Sequence, residues 1–128
     1  MGMVILKLPD EIEKLRTSNA IVAEILAELR EKVKPGVTTR ELDRFSEALS
    51  RKSQVRPAFK GYRGYPYALC TSVNGEVVHG MPSDRPLLSG DILSLDFGVV
   101  YKGYYGDAAI TVPVGTVSAE AERLMKVT

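Results

Sequence analysis

The sequence predicts an α+β fold, with two N-terminal helices packed on an antiparallel sheet. Three observations point there. Apolar side chains recur at helical spacing from Pro9 to Val33, a second helical stretch with its own start signal follows Pro35-Gly36, and beyond Arg56-Pro57 the texture changes to Gly, Tyr, Val and Thr, in runs divided by turn residues.

In the first helix Ile12, Leu15, Val22, Ile25, Leu26, Leu29 and Val33 fall three or four residues apart with charges between them. Pro9 suits the first helical position and Pro35-Gly36 ends the run. Thr38 and Glu41 form a capping box for the second helix, with Val37 and Leu42 placed as its hydrophobic staple and Leu42, Phe45, Ala48 and Leu49 as its expected apolar face. Ala68–Val73 and Glu76–His79 read as strands around Asn74-Gly75, a two-residue hairpin signal. Residues 80–90, with two prolines, form a loop. A longer hairpin follows, turning at Lys102-Gly103 and closing at Pro113-Val114-Gly115. Ser118 caps a third helix, with Glu120 and Glu122 in its first turn where the helix dipole favours them.

The 128 residues are 45% hydrophobic and 26% charged, the composition of a globular chain with its own core, and residues 1–128 read as one domain. Met1-Gly2-Met3 reads as an added start and is left out of the fold reasoning. Seventeen basic against sixteen acidic residues leave a net charge of +1 with no long charge run, which argues against nucleic acid and anionic membrane as partners. The apolar-rich stretch Ile21–Leu29 is broken by Glu24 and Glu28, and the N-terminus lacks the apolar core of a signal peptide, so a cytoplasmic location is expected. The single cysteine, Cys70, forms no internal disulfide and suits a reducing compartment.

Chemistry first shows in the long hairpin. If Lys102-Gly103 is a two-residue loop, Tyr101 pairs with Tyr104, Gly98 with Asp107 and Asp96 with Ala109. Asp96 and Asp107 then share a sheet face as diagonal neighbours, roughly 7–8 Å apart, within reach of a common metal ion. A one-residue slip would separate them. From the hairpin alone, solvated carboxylates are the better reading. In the same way His79 alone reads as a half-exposed strand residue, and Tyr62, Tyr65 and Cys70 read equally well as loop aromatics with a structural cysteine or as a pocket.

The flanking segments shift that balance. Phe59-Lys60-Gly61-Tyr62-Arg63-Gly64-Tyr65-Pro66, Cys70-Thr71-Ser72-Val73-Asn74 and Val77-Val78-His79-Gly80-Met81-Pro82 closely resemble the substrate-side segments of type I methionine aminopeptidases. Gly90-Asp91-Ile92, Leu95-Asp96, Gly103-Tyr104-Tyr105-Gly106-Asp107 and Val114-Gly115 are similar to the metal-binding hairpin of that family. The resemblance implies the N-terminal half of a pseudo-symmetric "pita-bread" metallopeptidase that removes the initiator methionine from proteins and peptides. It implies divalent metal ions, two per complete site, with cobalt, manganese, iron and zinc all compatible with the donors. Asp96 and Asp107 would be metal ligands, and His79 would hydrogen-bond substrate beside the scissile amide as a catalytic residue. Phe59, Tyr62, Tyr65 and Cys70 would bind the methionine side chain, to which aromatic faces and a soft thiol are suited, and Phe59, where relatives often carry a smaller residue, would narrow that pocket. Gly61 and Gly64 would let the loop approach substrate closely.

The remaining family ligands, a histidine and two glutamates, belong to a second half that this sequence lacks. Two carboxylates cannot fill two metal shells, so the chain is expected to be inactive or weak alone. N-terminal methionyl peptides are the implied substrates, and a complementary second-half chain or a homodimer is the implied macromolecular partner. Two other functions fit the same residues: a self-associating half-domain, and a non-catalytic peptide- or metal-binding module. Retention of both aspartates and His79 argues against the latter.

Overall fold

The protein, seen in a computed structural model, is described for residues 8–74 and 80–127. The elements run α1 (Pro9–Lys32), α2 (Thr39–Lys52), β1 (Arg56–Pro57), a single 3-10 turn (Tyr62–Gly64), β2 (Leu69–Val73), β3 (Ile92–Tyr101), β4 (Tyr104–Pro113) and α3 (Ala119–Val127). Among the described residues, three helices and a four-stranded antiparallel sheet make the α+β fold that the sequence predicts.

Strand β3 organises the sheet. Along one edge it pairs with β4 over its whole length, from Ile92↔Pro113 to Tyr101↔Tyr104. The other edge is shared end to end by β2, against Leu93–Phe97, and by the two-residue β1, against Val99 and Val100. Register follows from the turn: Lys102 (φ +48°) and Gly103 (φ +85°) both lie in the left-handed region, as a type I′ loop requires, and that loop matches the strands' own twist. With register set, strand parity assigns every side chain to a face. Leu93, Leu95, Phe97 and Val99 point under the helices and are fully buried, while Ser94, Asp96 and Gly98 point the other way.

Helix α1 crosses β3 and β4 through Val22, Ile25, Leu26 and Leu29, each at most 2% exposed. It comes closest at Gly106, where a Cβ would lie 2.7 Å from Ser18 Oγ and 2.8 Å from the Ser18 carbonyl carbon. Only glycine allows that approach. The Ser18 hydroxyl donates to the Tyr104 carbonyl at 3.1 Å, closing the gap with a hydrogen bond.

Helix α2 starts as expected. Thr38 Oγ1 accepts the Glu41 N–H at 3.1 Å, and Glu41 Oε2 accepts the Thr38 N–H at 3.1 Å. Its buried face meets the expectation at Leu42, fully buried, and Leu49, packed against the core, and departs from it elsewhere. Phe45 is 40% exposed beneath the Lys32 ammonium, and Ala48 is exposed too. The buried stripe is Thr39, Leu42, Asp43, Ser46 and Ser50. The small hydroxyls back-bond into the helix, Ser46 to the Asp43 carbonyl (2.6 Å) and Ser50 to the Ser46 carbonyl (2.8 Å), so polar side chains are satisfied where apolar ones were expected.

The third helix begins as predicted, with Ser118 Oγ accepting the Ala121 N–H at 3.1 Å. The expected strand Glu76–His79 and the Gly75 half of its turn lie outside the described residues. β1 has no local sequence signal; it exists because the Ala58 N–H reaches the Gly98 carbonyl at 2.9 Å and draws Arg56-Pro57 onto β3.

Candidate metal centre and adjoining cavity

The register of β3 and β4 matches the hairpin argument residue for residue: Gly98 opposes Asp107 and Asp96 opposes Ala109. Both aspartates therefore stand on the sheet face away from the helices, and both are exposed. Among the described residues neither accepts a hydrogen bond or faces a lysine or arginine within ion-pair distance. The Asp96 carboxyl is pushed above the ordinary aspartate range, first by partial loss of water around it and second by the Asp107 charge. Two hard-oxygen donors of like sign, without a counter-cation, fit a divalent cation as part of its shell. No group of three or more His, Cys, Asp and Glu stands ready to hold a metal among the described residues.

Beside Asp96 opens a cavity of about 650 Å³, lined by Phe59, Tyr62, Tyr65, Cys70 and Asp96 together with Arg63, Gly64, Pro66 and Met81. All four residues expected to hold a methionine side chain thus meet in one space, with a candidate metal ligand on its wall. Cys70 pairs with Asp96 across β2 and β3 and so shares its face. Burial raises the Cys70 thiol pKa above its ordinary value and the nearby Asp96 adds to that, against a lowering hydrogen bond with Tyr65, so the sulfur stays a neutral, soft wall near pH 7. The Tyr65 hydroxyl donates to the Leu69 carbonyl at 2.9 Å, and burial with the Cys70 contact raises its pKa.

Phe59 reaches this wall because β3 carries glycine at position 98. A Cβ there would lie 3.3 Å from both Ala58 Cβ and Phe59 Cε1. The ring accordingly packs over the open face at the register position opposite Asp107. Gly61 (φ +87°) and Gly64 (φ +79°) both take left-handed backbone conformations, and a Cβ built at either would meet open space, with no described atom within 4 Å. Met81, 56% exposed, completes the rim. Met81 stands in the Val77–Pro82 motif with no local aromatic neighbour to mark it, and only the fold brings it beside Phe59, Tyr62 and Tyr65. His79, expected in the site, lies outside the described residues.

Comparison with known proteins follows the same division. The profile of metallopeptidase family M24 matches residues 13–128. A methionine aminopeptidase of Clostridium acetobutylicum is 50% identical over 127 residues, which are 98% of this chain and 51% of that protein. Among solved structures, a methionine aminopeptidase from Thermotoga maritima superposes with a TM-score of 0.94 at 45% identity, and one from Rickettsia prowazekii with 0.95 at 36%. Each superposition covers 98% of this chain and 51% of the other. The chain spans about half the length of the relatives it matches.

Proposed function

Because the chain belongs to metallopeptidase family M24, we propose that it is the N-terminal, substrate-side half of a metal-dependent methionine aminopeptidase. In this reading residues 1–128 form one domain of a two-half fold. The observation that carries it is the junction of the Phe59, Tyr62, Tyr65 and Cys70 cavity with Asp96, on the same sheet face as Asp107. The cavity takes the methionine side chain; aromatic rings and the neutral Cys70 thiol favour a thioether by modest sulfur contacts added to apolar burial. Asp96 and Asp107 hold divalent metal, and a bound cation offsets both the desolvation and the weaker Asp107 repulsion that raise the Asp96 pKa.

When bound, such a metal would supply Lewis-acid polarisation of the N-terminal methionine's own carbonyl, the scissile one. The chain's own residues bind and orient. The cavity fixes the first side chain, which brings the scissile carbonyl over the carboxylates. His79 is assigned the hydrogen bond to substrate beside the scissile amide, as donor or acceptor near pH 7. Because the described residues supply two ligands, hydrolysis by this chain alone is expected to be weak or absent, and a complementary second-half chain or a second copy would complete the centre.

Calorimetric titration with methionyl-glycine and alanyl-glycine in the presence of manganese tests the reading. Preferential binding of the methionyl peptide, lost in Tyr65→Ala, is expected. Equal binding of both, or preference for an Xaa-Pro peptide, would contradict it. Steady chelator-sensitive release of methionine by the pure chain would contradict the two-half part.

A further inference from the structure

We propose that Asp43, which does not line the cavity, is the positioning residue for the cavity's inner wall: it holds the Leu69 backbone from which Tyr65 and Cys70 take their places. The geometry is independent of the substrate, and the consequence for methionine rests on the reading above.

Asp43 is a helix residue, 6% exposed, on the buried stripe of α2. Its Oδ1 accepts two main-chain donors, the Ala68 N–H at 2.8 Å and the Leu69 N–H at 3.0 Å. These amides open β2. The carbonyl of the same Leu69 accepts the Tyr65 hydroxyl at 2.9 Å, and Cys70 is the next residue. A continuous path thus runs from α2 through Asp43 and the Leu69 backbone to the Tyr65 ring and the Cys70 thiol. Packing alone does not call for a carboxylate here, since an apolar side chain fills such a site at lower desolvation penalty. Burial raises the Asp43 pKa and the two N–H bonds pull it back, as expected of a group whose partners are those two amides. One helical turn on, Glu47 pairs with Lys60, beside Phe59, so the same helix also touches the cavity's other wall. That second link is half-exposed and counts for little.

Cys70 is the sole cysteine, so its alkylation by N-ethylmaleimide in the full chain reads the state of the inner wall. Asp43→Asn keeps Oδ1 as acceptor and is expected to react within about twofold of wild type, whereas Asp43→Ala frees both amides and reacts about tenfold faster. Methionine amide is expected to slow the wild-type reaction and to give Asp43→Ala no protection. Leu29→Ala, a destabilising core change on α1 that removes none of these hydrogen bonds, leaves the folded-state rate unaltered, which separates positioning from general loosening. Tyr65→Phe cuts the path at its far end and is expected to speed alkylation about threefold; it decides the question together with Asp43→Asn should Asp43→Ala not fold. A wild-type rate in folded Asp43→Ala, an Asp43→Asn rate as fast as Asp43→Ala, or an unchanged rate in Tyr65→Phe would overturn the proposal. A wild-type rate indifferent to methionine amide would count against the methionine reading alone, and the rate ratios would still decide the role of Asp43.

Discussion

On the side of the β3–β4 hairpin that meets the helices, Leu93, Leu95, Phe97 and Val99 are fully buried and Gly106 takes the close contact of α1. On the other side, Ser94, Asp96, Thr111 and Asp107 stand in solvent or half in it, and the cavity opens beside them. Alternate residues of one strand pair therefore do different work. The covered side supplies apolar burial, and that stability is what allows the open side to keep two carboxylates that no described residue neutralises facing the same way. Such a split is a reason to expect function on the open side, since nothing in the packing asks for acids there.

The largest expected effect breaks the covered side. Phe97→Ala removes the largest fully buried side chain and should lower unfolding free energy by about 3–5 kcal/mol in urea, against within about 0.5 kcal/mol for Thr111→Ala on the open side. Similar losses from the two would erase the distinction between the faces. Gly106→Ala comes next: the added methyl meets the backbone of Ser18, so α1 must move, and a loss of about 1–3 kcal/mol is expected.

How much of this was legible in the sequence depends on whether the deciding contact was local. The Lys102-Gly103 turn and strict strand alternation made the β3–β4 register readable, and with it the shared face of Asp96 and Asp107. The Thr38/Glu41 box was readable because both of its hydrogen bonds close within one helical turn. The face of α2 was read correctly at Leu42 and Leu49 and misread at Phe45 and Ala48, because Asp43, Ser46 and Ser50 are buried through hydrogen bonds, two of which reach residues 25 and 26 positions away, and hydrophobic periodicity does not register such partners. The strand Arg56–Pro57 was invisible for the same reason: it depends on Gly98, far along the chain. In the site, the cavity residues were found by resemblance of their motifs, since spacing alone left them evenly balanced with ordinary loop packing.

A smaller effect sharpens the contrast between neutralised and unneutralised acids on neighbouring positions. Asp91, buried at the entrance to β3, accepts the Leu88 N–H (2.9 Å) and the Asn74 side-chain amide (2.9 Å), and these hold its pKa below the ordinary 3.8. Its contribution to stability is present above that ordinary value and is lost as pH falls through its lowered folded-state pKa. Asp96 has the opposite sign: its raised pKa means that the folded chain loses stability as pH rises from the ordinary value through the raised one, and the penalty persists above. Thermal melts without metal should therefore show Asp96→Asn slightly more stable than wild type at pH 7 and equal to it at pH 3, by about 0.5 kcal/mol at most. Asp91→Asn should be less stable than wild type at pH 7. An Asp96→Asn variant destabilised at pH 7 would mean that a partner already neutralises that carboxylate.

Above all, the open face is expected to hold divalent metal through its two aspartates. Isothermal titration of the metal-free chain with manganese, for wild type, Asp96→Asn and Asp107→Asn, addresses it directly. Saturable binding in wild type, weakened at least about tenfold by either substitution, is the predicted result. Affinity unchanged by the loss of either carboxylate, or no binding by the wild-type chain, would contradict it.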